Sequence, residues 1–382
     1  MTQAFHRVIS NKGAAGVDGI TVGNFRTLLL QSWSSIKAKI LEGKYKPTSV
    51  REVEIPKPNG GKRKLGIPTV MDRLIQQAIS QRLNQIYDKE FSESSYGFRP
   101  KRNAHQAVEQ AKQYLNEGNT YVIEMDLEKF FDKVNHDKMM NLLARKIQDK
   151  RLLKLIRSYL TSGIMIGGVE QRREAGTPQG SPLSPLLSNI ILDTLDKELE
   201  KRGHKFVRYA DDCSIYVKSN KAAERVKASI TKFIEEKLLL KVNKEKTRIS
   251  RPNQSTLLGF SFYKDSKGYQ IRIAPTSLQR IKEKVKGITS RRKPHALDQR
   301  LQSLRPIIMG WVNYFRAGNS TAAFAGVRYW MEKKIRRVAM KKRQRRGFGW
   351  KRWSSQEIYR DWGLFNDYGL SRMRFQAKAA PA

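Results

Sequence analysis

Cysteine is almost absent from this chain. Of 382 residues only Cys213 is one, which excludes an intrachain disulfide and a cysteine-built zinc cluster. It follows Asp212 in a strand-like run and reads as a packing residue, not a nucleophile. Histidine is scarce as well, five in all and scattered, with no His-Glu-x-x-His pair to hold zinc. There is no Gly-x-x-x-x-Gly-Lys-Ser/Thr phosphate loop. No apolar run reaches the roughly 18 residues that a membrane-spanning helix needs, and the first six residues, Met1 to His6, lack the apolar block of a signal peptide. The expected location is reducing, intracellular and cytoplasmic, without membrane association. Acid is the last shortage: 35 Asp+Glu against 75 Lys+Arg leave a formal net charge of +40. Such an excess calls for a polyanionic partner.

The excess is uneven. Residues 276–382 hold 26 basic and 6 acidic side chains, against 49 and 29 in the first 275, so the last part is more than twice as positive per residue. Residues 333–352 carry eleven basic residues and no acid, among them Lys341, Lys342, Arg343, Arg345 and Arg346. Trp330, Phe348, Trp350 and Trp353 interleave or flank this run. Basic groups neutralise phosphates and aromatic faces stack on unpaired bases, so the segment is a candidate RNA-binding surface. The aromatics suit a helix core equally well.

Against this background the few acids stand out. Tyr209-Ala210-Asp211-Asp212 lies between two β-leaning runs, Phe206-Val207-Arg208 and Ser214-Ile215-Tyr216-Val217, and reads as a hairpin tip. Two acids at one tip repel unless cations neutralise them. Another strand-like run, Tyr121-Val122-Ile123-Glu124-Met125, ends in Asp126. The three carboxylates can converge at one sheet edge, where their hard oxygens suit Mg²⁺. A pair of such ions stabilises the attacking and leaving oxygens of phosphoryl transfer. Glu128, Asp132 and Asp137 are read as local surface or capping groups.

The chain reads in three parts. The first, to about residue 115, has a turn at Gly16-Val17-Asp18-Gly19, helices over 24–42 and 69–87, and strands over 51–56 and 62–67 across Pro58-Asn59-Gly60-Gly61. Lys57, Lys62, Arg63 and Lys64 decorate that hairpin and are placed to grip a triphosphate. Residues 116–275 mix strand 121–126, helix 137–161, strands near 164–174, helix 183–202, the acidic hairpin, helix 221–238 and a last hairpin pairing 257–263 with 269–274. Between them, Gly176-Thr177-Pro178-Gln179-Gly180-Ser181-Pro182-Leu183-Ser184-Pro185 is rich in turn formers, and Gln179 can both donate and accept hydrogen bonds. From 276 onward apolar residues recur at helical spacing.

Taken in order, these blocks resemble the reverse transcriptases of the group II intron-encoded (maturase) lineage over nearly the whole chain. Gly16 to Gly19 is similar to the lineage's N-terminal extra block. Ile55 to Thr69, with Asp72-Arg73 and Gln76-Gln77, resembles the first polymerase block, and Ser95-Tyr96-Gly97-Phe98-Arg99-Pro100 the second. Asp126 with Phe130-Phe131-Asp132 resembles the third, Pro178-Gln179-Gly180 through Ser184-Pro185 the fourth, and the Ala-Asp-Asp hairpin the fifth. Asn243-Lys244-Glu245-Lys246-Thr247 and Leu258-Gly259-Phe260 resemble the last two.

The resemblance implies an α+β right-hand polymerase, with fingers and palm over 1–275, a helical thumb or X domain over 276–350 and a basic tail over 351–382. It implies an RNA-directed DNA polymerase, a nucleotidyltransferase using dNTPs, an RNA template and a DNA primer or target, with binding of intron RNA in splicing and retrotransposition. Asp126, Asp211 and Asp212 would bind two Mg²⁺. Lys57 and Arg63 would contact the triphosphate, Phe131 would exclude a ribose 2′-OH, Gln179 would line the nucleotide pocket, and Leu258-Gly259 would seat the primer end. Two departures from the lineage follow. With one cysteine and no histidine after His295, no His-Asn-His endonuclease module is expected, and with a start close to the first block, no further N-terminal extension is expected. A domesticated or defence-associated reverse transcriptase of the same lineage, and a non-catalytic RNA-binding splicing factor, remain alternatives.

Overall fold

The structure, a computed structural model, describes residues 1–56, 60–166, 169–171, 175–290, 296–340 and 349–369. The chain divides into two compact units, Met1–Ala107 with Asn119–Ser250, and Val108–Gly118 with the chain from Arg251 onward.

The first unit opens with helices α1 (Thr2–Ser10) and α2 (Phe25–Leu41), then strands β1 (Val50–Pro56) and β2 (Lys62–Ile67) and helix α3 (Val70–Tyr87). Thr69 caps α3 by accepting from the Asp72 amide at 3.1 Å, a side chain taking one of the amides that a helix start leaves orphaned. Helix α4 (Ala104–Asn116) runs from this unit into the other. There follow β3 (Tyr121–Met125), α5 (Phe130–Lys133), α6 (His136–Ala144), α7 (Lys150–Leu160), β4 (Ile164–Ile166), β5 (Val169–Gln171), α8 (Ser184–Lys201), β6 (Lys205–Tyr209), β7 (Asp212–Val217), α9 (Asn220–Lys237) and β8 (Arg248–Ser250).

Two sheets result. One has the order β2-β1-β4-β5, with β1 and β4 parallel. The other, β6-β7-β3-β8, is antiparallel throughout. Ile123 and Ile215, opposite each other in this second sheet, are fully buried in a core with Leu187, Ile191, Leu195 and Leu199 of α8 and Ile230 and Ile234 of α9. The sheet is thereby fixed on a rigid support, and its strand ends carry the acids.

The continuous helix expected over 137–161 is two helices. Asn135 caps the first by accepting from the Lys138 amide at 2.9 Å, and Asp149 caps the second by accepting from Arg151 at 2.8 Å and Leu152 at 3.3 Å. An Asp whose carboxylate captures the following amides starts a new helix even inside a periodic apolar stretch.

The second unit contains the hairpin β9 (Phe260–Asp265) and β10 (Gly268–Ile273), then α10 (Pro275–Ile288), α11 (Leu297–Phe315), α12 (Thr321–Ala339) and α13 (Ser355–Arg360). The expected pairing of 257–263 with 269–274 forms with its strands shifted toward the turn, Asp265 opposite Gly268. Helix dominates from 275 onward, as the helical spacing predicts. Among the described residues no helix is long and apolar enough to cross a membrane.

Candidate active site

The hairpin register places the acids. Tyr209 pairs with Asp212 across a two-residue turn, Ala210-Asp211. On the other side of β7, Met125 pairs with Cys213, so Asp126, the first residue past the end of β3, emerges beside the strand end that carries Asp212. The charge of Asp126 is felt by both Asp211 and Asp212. The consequence is electrostatic. Partial desolvation at the crowded strand end, where Asp212 itself remains exposed, raises its carboxyl to about 6, aided by the charges of Asp211, Asp126 and Glu124. Asp211 is raised as well, chiefly by burial and also by Asp126, while Arg63 pulls it the other way. The structure thus brings Asp126, Asp211 and Asp212 together and sets Arg63, exposed on β2, within electrostatic reach.

The Asp126 backbone is held by the segment 241–247. Its carbonyl accepts from the Asn243 amide at 2.8 Å, and its amide donates to Thr247 Oγ1 at 3.1 Å. Lys246 Nζ stands 3.8 Å from the Asp126 carboxylate. Glu128 pairs with Lys133 at 2.9 Å and Lys241 at 3.4 Å, and Asp137 with Arg157 at 2.8 Å. Both are local surface groups, as expected.

Among the described residues no three His, Cys, Asp or Glu side chains form a ready metal cage. The donor set nonetheless fits a hard divalent cation. It is all carboxylate, its charges raise the proton affinity of Asp211 and Asp212, and it already draws the Lys246 ammonium.

Three further elements are joined around the segment that follows Asp126 and the strand that carries Arg63. Phe130 is buried in the core, while Phe131 packs edge-on against it, centroids 5.1 Å apart, and stays only partly buried. The Phe131 carbonyl accepts from the Thr177 amide at 2.6 Å, and the Gln179 carbonyl accepts from the Gly66 amide of β2 at 2.8 Å. The 176–180 loop therefore bridges the segment after Asp126 and the strand that carries Arg63. Gly180, at φ +109°, lies so close to Gly66 that an added Cβ would stand 3.0 Å from its carbonyl oxygen. Lys57 lies outside the described residues.

Sequence reasoning missed the group under the hairpin. Arg208 is fully buried, and its guanidinium binds Asp196 of α8 through two bonds, at 2.7 and 2.6 Å. A signal was present. Arg208 shares strand parity with Phe206, and Asp196 sits among Leu192, Leu195 and Leu199, so each was a charge at an inward position of an apolar pattern.

In the second unit, the Leu258 carbonyl accepts from the Tyr314 hydroxyl at 2.8 Å. The Gly259 carbonyl accepts from the Ala274 amide at 3.0 Å and Ser277 Oγ at 2.9 Å. The turn before β9 is thereby fastened to α10 and α11. Lys341, Lys342, Arg343, Arg345, Arg346 and Phe348 lie outside the described residues. Arg336, one of the eleven basic residues of that run, is fully buried. It bonds Glu332 at 3.1 Å and Ser355 at 3.1 Å, and its guanidinium lies 3.7 Å from the Trp350 ring centre. Trp353 packs edge-on against Trp362, with centroids 5.6 Å apart. Together they dock α13 on α12.

Residues 55–262 match the family model described as reverse transcriptase (RNA-dependent DNA polymerase), and residues 278–357 match the group II intron, maturase-specific domain. Protein YkfC of Escherichia coli is 32% identical over 302 residues, covering 69% of this chain and 78% of YkfC. The group II intron-encoded protein LtrA of Lactococcus lactis is 29% identical over 350 residues, covering 74% of this chain. A putative COX1/OXI3 intron 2 protein of Saccharomyces cerevisiae is 29% identical over 332 residues, covering 71% of this chain. The match spans 56% of LtrA and 38% of the yeast protein. Among solved structures, a partial Cas6-RT-Cas1–Cas2 complex matches at 27% identity with a TM-score of 0.38, over 62% of this chain and 41% of that one.

Proposed function

The chain belongs to the reverse transcriptase (RNA-dependent DNA polymerase) family, with a group II intron maturase-specific domain behind the polymerase domain, and from that premise we propose that it extends a DNA primer on an RNA template and binds structured intron RNA in support of splicing and mobility. The observation that carries the reading is the meeting of Asp126, Asp211 and Asp212 at one ladder end, with Arg63 within electrostatic reach of Asp211. We assign residues 1–275 to fingers and palm, 276–350 to the thumb or X domain, and 351–382 to a tail.

In the proposed reaction the primer 3′ oxygen forms a bond to the α-phosphorus of a dNTP. The bond to the pyrophosphate oxygen breaks, and the 3′-OH proton passes to solvent. Asp126, Asp211 and Asp212 would hold two Mg²⁺, which supply positive charge to the attacking and leaving oxygens. Arg63 and Lys57 neutralise the triphosphate and orient it. Phe131, half-exposed beside the 176–180 loop, occupies the space that a ribose 2′-OH would need. Gln179 is fixed by the Gly66–Gln179 bond and lines the nucleotide pocket from the β2 side. Leu258 and Gly259 seat the primer end. The C-terminal basic run, with Lys341, Lys342, Arg343, Arg345 and Arg346, neutralises RNA phosphates.

The test is primer extension on an RNA template with Mg²⁺ and dNTPs. Elongation by the wild type and its loss in Asp212→Asn support the reading. RNA binding without any elongation would instead make the protein a non-catalytic splicing factor.

A further inference from the structure

We propose that Arg208 is a positioning residue for the catalytic turn, holding the Ala210–Asp211 peptide from beneath so that Asp211 and Asp212 present their carboxylates to the metal ions. The inference rests on the preceding assignment of those acids as metal ligands.

The geometry is that of a fully used guanidinium. An arginine has five N–H donors in a rigid fork, and each of them here has an acceptor. Nε donates to Asp196 Oδ1 at 2.7 Å. One Nη2 hydrogen goes to Asp196 Oδ2 at 2.6 Å and the other to Ser95 Oγ at 2.7 Å. Nη1 serves Asn189 Oδ1 at 2.9 Å and the Ala210 carbonyl at 2.8 Å. Asn189 and Asp196 lie seven residues apart on α8 and therefore share one face of it. Asn189 also donates to the Gly97 carbonyl at 2.9 Å. The strand itself is fastened at the same place, since the Arg208 carbonyl accepts from Tyr96 at 2.8 Å and its amide donates to Ser94 at 2.9 Å.

The last of the five bonds separates positioning from mere stability. The Ala210 carbonyl belongs to the peptide that leads into Asp211. Ala210 has φ +59°, a left-handed conformation that a residue with a Cβ adopts only when its surroundings impose it. The turn does not hold that shape by its own preference. The Arg208 bond fixes the orientation of the peptide plane, and that plane directs the Asp211 side chain. Asp196 and Asn189 hold the guanidinium in turn, so helix α8 sets the geometry of the acids through one side chain.

A buried ion pair that only stabilised the fold would predict something else. Replacing the pair with apolar residues of similar volume often leaves a protein folded, whereas removing one partner strands a buried charge. The decisive variant is therefore Arg208→Met with Asp196→Leu, measured beside the conservative Arg208→Lys, which keeps a charge for Asp196 but cannot serve five acceptors. Three quantities are read on the full chain: Mn²⁺ binding to the free protein by electron paramagnetic resonance, kcat and dNTP KM in primer extension, and the melting temperature. We expect both variants to bind Mn²⁺ about tenfold more weakly, as when a group orienting a metal ligand is lost. Extension should fall about 100-fold in kcat, with dNTP KM little changed, as for a misplacement of about 1 Å.

Wild-type Mn²⁺ affinity and kcat in a folded double variant would overturn the proposal. If the double variant does not fold, Arg208→Lys decides on the same criteria. Asp211→Asn is the control for the underlying reading. If it binds Mn²⁺ as the wild type does, the assignment of the metal ligands fails, independently of Arg208.

Discussion

Gly97 lies against Ala210 so closely that a Cβ at position 97 would stand 2.2 Å from the Ala210 amide nitrogen and 2.8 Å from the Tyr209 carbonyl carbon. Both obstacles are backbone, which cannot rotate away as a side chain can. The acidic turn is thus packed from one side by Gly97 and gripped from beneath by Arg208. Gly97→Ala is expected to push the turn out of place. The fold should survive with a loss of about 1–3 kcal/mol, typical of overpacking, while kcat for primer extension falls about 100-fold. Denaturant melts read beside extension rates check this, and near-wild-type extension would show that the turn absorbs the extra methyl.

Asp212→Asn is expected to abolish extension yet stabilise the metal-free protein at neutral pH. The carboxyl is raised to about 6 from 3.8, first by partial desolvation at the strand end and then by Asp211, Asp126 and Glu124. The folded state therefore binds its proton more tightly than the unfolded chain does. Stability from this group is present in full below the unfolded value and is lost as pH rises through about 6. Asparagine carries no charge to repel its neighbours, so its melting temperature should exceed the wild type's at pH 8 without divalent cations, and the gap should close toward pH 4. A variant less stable than wild type at pH 8 would count against mutual repulsion at this site.

Mg²⁺ dependence should shift with pH for the same reason. Protons compete with the cation for Asp212, so the Mg²⁺ concentration giving half-maximal extension should rise as pH falls below about 6. Titrating Mg²⁺ at several pH values measures it, and an unchanged half-maximal concentration would remove Asp212 from the ligand set.

The two adjacent phenylalanines should behave differently. Phe130 is 2% exposed, so Phe130→Ala should cost about 3–5 kcal/mol of stability. Phe131→Ala should leave the fold largely intact and raise incorporation of ribonucleotides relative to deoxynucleotides. Competition between the two nucleotide types gives the answer directly. Collapse of discrimination in Phe130→Ala alone would reverse the assignment.

Replacing Lys341, Lys342, Arg343, Arg345 and Arg346 with Gln should weaken binding of structured RNA and flatten its salt dependence. Every phosphate that is no longer neutralised takes roughly 0.7–0.9 off the slope of log K against log salt. Extension on a short, saturating primer-template should fall less. A slope equal to that of the wild type would mean that this segment touches no phosphate.

Local pattern determined much of what the chain is. Alternation on either side of Tyr209 to Asp212 placed the hairpin and its acids, because a strand's period is visible in sequence and a two-residue turn leaves little freedom in register. The run ending in Met125 placed Asp126, and helical spacing placed the elements after 275. The boundary between α6 and α7 escaped because the cap at Asp149 competes with a periodicity that continues through it. What tertiary structure alone decided is how remote segments meet. The approach of Asp126 to Asp212 depends on β3 pairing with β7, nearly ninety residues on. The bond between Gln179 and Gly66 joins a loop to a strand more than a hundred residues away. The burial of Arg208 against Asp196 needs α8 packed beneath the sheet. A charge reads as solvent-facing until its partner is found, and partners separated along the chain are brought together only by the packing of the core.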